Sequence, residues 1–293
     1  MNDMRNMDTT DKSAKTDKTV KRPGPSAFRT AFMIAFRSMP DCGSLPALLV
    51  QVAAAPAFTA LFYLMLTEAA PRVGAAAGTA AASTAMATAL VPAIGACSAQ
   101  ASVAMASLLA EDRFTGVLPY MMLGSGSRIA PWAGRLCAGL GVSMASSCCA
   151  LLVSLLATGA LPAAGLWPSM LLLMAVSLVA SLGVGLLTAV LSLMFDDALL
   201  LTNLIGYVLP LVGGVVAPAS VFPAPVARTV HALPITWMTD AARALTAGHP
   251  ATAFACMGAG LAVGLGWAVS ALVCWRMCMA LSRRRGTVTG LGM

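Results

Sequence analysis

From Ala75 to Ala110 the chain carries no Asp, Glu, Lys or Arg, and the same is true from Leu136 to Phe195. A helix rises 1.5 Å per residue, so about 20 apolar residues cross the hydrocarbon core of a bilayer. The first run is long enough for one crossing and the second for more than one. Both are continuously apolar instead of alternating, which argues against a membrane β-barrel. Charged residues make up 10% of the chain, where a soluble domain carries roughly a quarter. The fold class that follows is an all-α polytopic membrane protein. Residues 1–27 are polar and hold no apolar core ahead of a cleavage site, so no cleaved signal peptide is expected there.

The breaks between apolar runs divide the chain. Residues 1–25 interleave Asp3, Asp8, Asp11 and Asp17 with lysines and arginines and have nothing to bury, which predicts a disordered tail. After Pro23-Gly24-Pro25, Ser26 can cap a short helix with Phe28, Phe32, Phe36 and Met39 on one side and Arg29 and Arg37 off it. That pattern suits a helix lying in the membrane interface. Six membrane spans are expected at about 45–67, 75–110, 133–160, 166–195, 198–216 and 251–281, with a short tail at 286–293. The second span is longer than a bilayer requires, holds Pro92, and is rich in Ala, Ser, Thr and Gly, which let helices approach closely. Gly260 and Gly264 offer the same close packing in the last span.

Residues 217–250 fit neither a span nor a free loop. Pro218, Pro223, Pro225 and Pro234 punctuate them, yet they carry Arg228, His231, Asp240, Arg243 and His249. Ile235 to Ala247 reads as an amphipathic helix ending at Gly248, with Asp240 and Arg243 at pairing distance. The expectation is of helices dipping partly into the outer leaflet.

Basic residues set the orientation. With both ends inside, the inner segments hold 15 of the 18 Lys and Arg and the outer segments only Arg72, Arg228 and Arg243. Both termini and the Glu111–Arg135 stretch then lie in the cytoplasm. Topology alone accounts for the net positive charge, and no nucleic-acid partner is needed.

Several chemistries are missing. The last lysine is Lys21, so the membrane part has no phosphate-binding loop, which requires one. There is no GxSxG and no HExxH. Neither of the two histidines, His231 and His249, lies near a cysteine at ligand spacing. The eight cysteines show no CxxC spacing and read as small packing residues. No catalytic, cofactor or metal site is expected. Mid-membrane carboxylates, the usual mark of ion-coupled carriers, are not evident.

One charged stretch interrupts the apolar runs: Glu111-Asp112-Arg113-Phe114-Thr115-Gly116-Val117-Leu118. It is either a solvated turn or the place where a soluble partner grips the membrane part. Phe114, Leu118, Tyr120, Met121 and Met122 give it an apolar set suited to a groove on such a partner.

Two stretches resemble the permease subunit of ABC-2 type transporters, the bacterial drug and polymer exporters. The first is Glu111 to Leu118 followed by Ser125-Gly126-Ser127-Arg128, similar to the family's E-[RK]-x-x-G-[TV]-L pattern, with Asp112 displacing the basic residue by one position. The second is Asp196-Asp197, then Pro218-Ala219-Ser220-Val221-Phe222-Pro223, Pro234-Ile235-Thr236, Asp240-Ala241-Ala242-Arg243 and Gly248. The resemblance covers residues 26–285. It implies a half-transporter in the bacterial plasma membrane. Two permeases, identical or sister chains, would associate with two copies of a separate ATPase that binds the ATP. Glu111, Asp112, Arg113, Phe114, Gly116 and Leu118 would form the coupling contact, and cargo would be a small amphipathic or lipophilic compound moved outward. The alternatives from the residues alone are an ion-gradient-driven carrier and a membrane assembly factor that transports nothing.

Overall fold

A computed structural model describes residues 29, 32–33, 44–69, 81–116, 129–195 and 198–285. The expected tail at 1–25, most of the interfacial helix, Leu118, the docking segment 117–128, Asp196-Asp197 and the tail at 286–293 lie outside the described residues. Of the interfacial helix, Arg29, Phe32 and Met33 are helical. No strand occurs among the described residues.

Helix α1 (Leu45–Leu49) begins at Ser44, whose hydroxyl accepts from the Ala47 N–H at 3.3 Å. It runs through a π-helical stretch (Val50–Ala54) into α2 (Ala55–Ala69). Helices α3 (Ala81–Phe114) and α4 (Ile129–Thr158) follow. A 3-10 turn (Ala164–Leu166) leads into α5 (Trp167–Ser192), then α6 (Ala198–Val212). A second 3-10 turn (Ala219–Val221) precedes α7 (Ala224–Val230), α8 (Pro234–Thr246) and α9 (Pro250–Arg285). Pro234 and Pro250 open their helices, where a missing N–H costs nothing. Gly248 adopts φ +80° between them, a conformation that ends α8 and that other residues resist.

Five segments are long and apolar enough to cross a membrane: Pro46–Thr67, Ala85–Arg113, Trp132–Thr158, Ala164–Ser192 and Pro250–Ala280. The protein is thus a polytopic helical membrane protein. The expected fifth span differs: its helix stops at Val212, and its apolar part, Leu200–Val212, falls below the length of the others. The reason is local, because Gly213 and Gly214 follow and Gly214 takes φ +83°.

Helix α3 is the axis. It packs against α2, α4, α5, α6 and α8, and 78% of its most apolar stretch is buried, against 22% for the first and last membrane-length segments. Large apolar side chains point away from the bundle: Phe58, Phe62 and Met65 on α2, Leu204 and Tyr207 on α6, Leu265, Val269 and Met277 on α9. Lipid solvates such side chains as well as a core does, so helix association rests on close packing and hydrogen bonds instead.

Those contacts keep a constant register. Along α3 and α5, Ser98 faces Ser177 with hydroxyls 2.6 Å apart, and Ser102 donates to the Ser181 carbonyl at 3.1 Å. Both pairs are 79 residues apart, so α3 and α5 run parallel. Gly185 lies so close to Ser102 that an added Cβ would meet its Cα at 2.9 Å. Along α5 and α9, Gly264 abuts the Ala180 backbone and Gly183 abuts Gly264 and Ala268. The Cys278 thiol lies 3.7 Å from the Met194 sulfur, 84 residues earlier; Gly264 and Ala180 keep the same offset, so α5 and α9 are parallel too. Helix α6 runs the other way along α3, with Gly206 beside Val103 and Val215 beside Gly95. Gly260 and Gly264 serve different partners: Gly260 receives Met238 and Trp237 of α8.

Candidate functional site

Two charged clusters form on this frame. One lies at the end of α3 and the other on α8 and the segments beside it, where α8 packs against α3.

The first lies at the end of α3. Glu111, Asp112 and Arg113 are not a loop; they occupy its last turn, and Gly116 with φ +67° follows. Asp112 turns inward. Its side chain is 4% exposed and forms an ion pair through Oδ1 with Arg135 of α4. Its other oxygen, Oδ2, is buried with no hydrogen-bond partner among the described residues. Burying a carboxylate is costly unless a cation compensates it, and Arg135 is the cation placed beside Asp112. Arg113 reaches a third helix. Its Nη1 donates to the carbonyls of Ser192 at 3.2 Å and Phe195 at 2.7 Å, at the end of α5. Helix ends leave carbonyls without intrahelical donors and carry partial negative charge, so a guanidinium there is doubly favourable. Glu111 is the outward member, with a side chain 53% exposed and Oε2 3.7 Å from Arg135 Nη2. The cluster stitches α3, α4 and α5 together while presenting one carboxylate to the outside.

The second cluster joins α6, α7 and α8. Arg243 of α8 donates to the carbonyl of Gly214, just past α6, and pairs with Asp240 Oδ1 at 3.3 Å. Asp240 Oδ2 lies 3.3 Å from His231 Nε2. Thr239 donates to the Gly213 carbonyl at 3.1 Å and Thr236 to that of Val230 at 2.8 Å. Trp237 donates to the His231 carbonyl at 2.8 Å, and Trp267 of α9 to that of Ala232 at 2.6 Å. The prolines set the corners: Pro218 precedes the 3-10 turn, Pro223 precedes α7, and buried Pro234 opens α8.

The structure thus brings Glu111, Asp112 and Arg113 together with Arg135, which sequence spacing did not single out. It brings Asp240 and Arg243 together with His231 and Gly214, where the sequence suggested only an Asp240–Arg243 pair. Arg135 is the first charge after the 117–128 segment, and that position at a span entrance was the available signal. Gly214 and His231 gave none, because backbone carbonyls and long-range partners leave no spacing pattern. Among the described residues no three His, Cys, Asp or Glu converge on a possible metal site.

No family model, curated protein or solved structure matches this chain.

Proposed function

We propose that the chain is the membrane-spanning permease subunit of an ABC-2 type exporter, driven by a separate ATPase and paired with a second permease copy, identical or a sister chain. The observation that carries the reading is the stitched end of α3. A long central helix ends in three consecutive charged residues, two of which clamp neighbouring helices and one of which faces out. A force applied at Glu111 is delivered through Arg135 to α4 and through Arg113 to α5.

The helix directions support the six-span layout. Because α5 and α9 are parallel, the chain between them must return across the bundle. Helix α6 rises about 22 Å over its 15 residues, short of the roughly 30 Å hydrocarbon core. Gly213 to Val215 and α8 continue the path, so α6 and α8 together make the fifth crossing, with the turns and α7 dipping into the outer leaflet. Both termini then face the cytoplasm of a bacterial cell, as does Glu111, in line with the distribution of basic residues. ATP closure of the ATPase dimer rocks the bundle between inward- and outward-facing states. The cargo is a small amphipathic or lipophilic compound, in keeping with the largely apolar helices.

An ion-gradient-driven carrier is the alternative that the second cluster favours, since charged residues at membrane depth often mark ion pathways. The test is reconstitution into vesicles with the ATPase encoded beside it. ATP-dependent accumulation, abolished by Glu111→Ala while the protein stays folded, is the expected result. Transport that follows a proton gradient and ignores ATP overturns the proposal.

A further inference from the structure

Sulfur gathers at one end of the α5–α9 contact. The Cys278 thiol of α9 lies 3.7 Å from the sulfur of Met194, just past the end of α5. Cys274 stands one turn back on α9, and its thiol interacts with that of Cys278. A spacing of four puts both thiols on one face of the helix. The third sulfur comes from 84 residues before Cys278, which is why the sequence shows only two cysteines that read as packing residues. Met194, Cys274 and Cys278 line one open groove, and Met277 adds a second thioether to it.

The rest of the lining narrows what such a groove can hold. Among the described residues it contains no His, Asp or Glu. Its one hydroxyl, on Ser270, is already spent on the Gly266 carbonyl of its own helix at 2.9 Å. Magnesium, calcium and manganese require oxygen ligands, so this donor set does not suit them. Zinc takes thiolate, imidazole or carboxylate and has no use for a thioether. Thiolate and thioether together select Cu(I). The spacing fits as well: metal–sulfur bonds of about 2.3 Å at trigonal angles set neighbouring sulfurs about 4 Å apart. Trp275 of α9 packs against Leu109, Ala189 and Leu193, so packing already holds together the two helix ends that carry the sulfurs.

We propose that Met194, Cys274 and Cys278 form a binding site for Cu(I) that ties the end of α5 to α9. Each thiol that ligates releases its proton to solvent as its copper–sulfur bond forms. The Met194 thioether ligates through a lone pair and loses nothing. The metal enters and stays as Cu(I), so no electron is transferred. With both termini in the cytoplasm, the site lies at the inner end of the bundle, in a compartment that keeps thiols reduced. The site rests on the sulfur geometry and stands whether or not the chain exports anything.

The test uses the full chain in lipid nanodiscs, reduced and free of oxygen, with Cu(I) titrated in the presence of a chromophoric Cu(I) chelator. The wild type should withhold one Cu(I) per chain from the chelator. The double variant Cys274→Ser with Cys278→Ser should give that equivalent up. Cys137→Ser, which removes an exposed thiol of α4, should keep it. Losing an outer-shell partner already costs about 10–100-fold in metal affinity, so Met194→Leu should weaken binding by about tenfold or more. Leucine keeps the packing volume of methionine, so this variant reads the ligand even if the double variant fails to fold. X-ray absorption at the copper edge should show sulfur neighbours alone, at about 2.3 Å. A wild type that surrenders all its copper overturns the proposal, as does a folded double variant that keeps the equivalent. An affinity unchanged in Met194→Leu, or Zn(II) displacing the copper, overturns the three-sulfur Cu(I) assignment.

Discussion

Removing Arg135 should cost more than removing Arg135 and Asp112 together. Asp112 has a side chain 4% exposed, one oxygen on Arg135, and the other oxygen buried with no partner among the described residues. Arg135→Ala strands that charge, and breaking a buried pair from one side costs about 3–5 kcal/mol. Asp112→Ala is milder. Arg135 is 24% exposed and keeps Glu111 at 3.7 Å, so its remaining pair behaves like a surface one and the loss is on the order of 1 kcal/mol. The double variant has no stranded charge and should fall near Asp112→Ala. The cycle therefore yields a coupling of about 3–5 kcal/mol. Equilibrium unfolding of the purified chain in mixed micelles, followed by far-UV circular dichroism, measures all four proteins. Equal costs for the two single variants, or a double variant equal to their sum, would refute the view that Arg135 is there to compensate Asp112.

Two further outcomes follow from the packing and the first cluster. Gly264→Ala drives a Cβ into the Ala180 backbone, whereas Gly266→Ala meets nothing within 4 Å; the first should lose about 1–3 kcal/mol in the same assay and the second nothing measurable. Arg113→Ala removes the donor from the Ser192 and Phe195 carbonyls, so amide exchange in the last turn of α5 should accelerate by about tenfold or more while the middle of that helix is unchanged.

The membrane character and the helices were legible because the hydrocarbon core imposes a length, and the chain writes that length as charge-free runs. Gly248 and Pro234 marked the limits of α8 for the same local reasons they act there. The fifth span was overestimated because hydropathy from Ala198 to Val216 is continuous, and nothing in it signals that Gly213 and Gly214 turn the chain toward Ile235 and Arg243. The glycine pair of α9 was legible as close packing, but its two faces were not, since a spacing of four does not name partners. Within the charged stretch the residue types were visible and their division of labour was not. Whether Asp112 or Glu111 faces out depends on the rotation of α3 against α4, and α3 is too uniformly apolar to reveal a buried side by periodicity.

The constant registers decide how a push at one end travels. Helices α3, α5 and α9 keep offsets of 79 and 84 residues along their contacts, through small residues that leave little slack. Such helices slide only by breaking every contact at once, so they move as a block. The block extends to α4 at the Arg113 end through Arg135. At the other level it meets α6 and α8 where Val215 fills the space beside Gly95 and Met238 the space beside Gly260. On the exporter reading, those two side chains are the sites at which tilting of the block would press on the α7–α8 hairpin that Arg243 and Asp240 anchor. The two charged clusters would then be mechanically in series, with α3 as the lever between them, and a substitution at Gly95 or Gly260 would reach the second cluster through Val215 or Trp237.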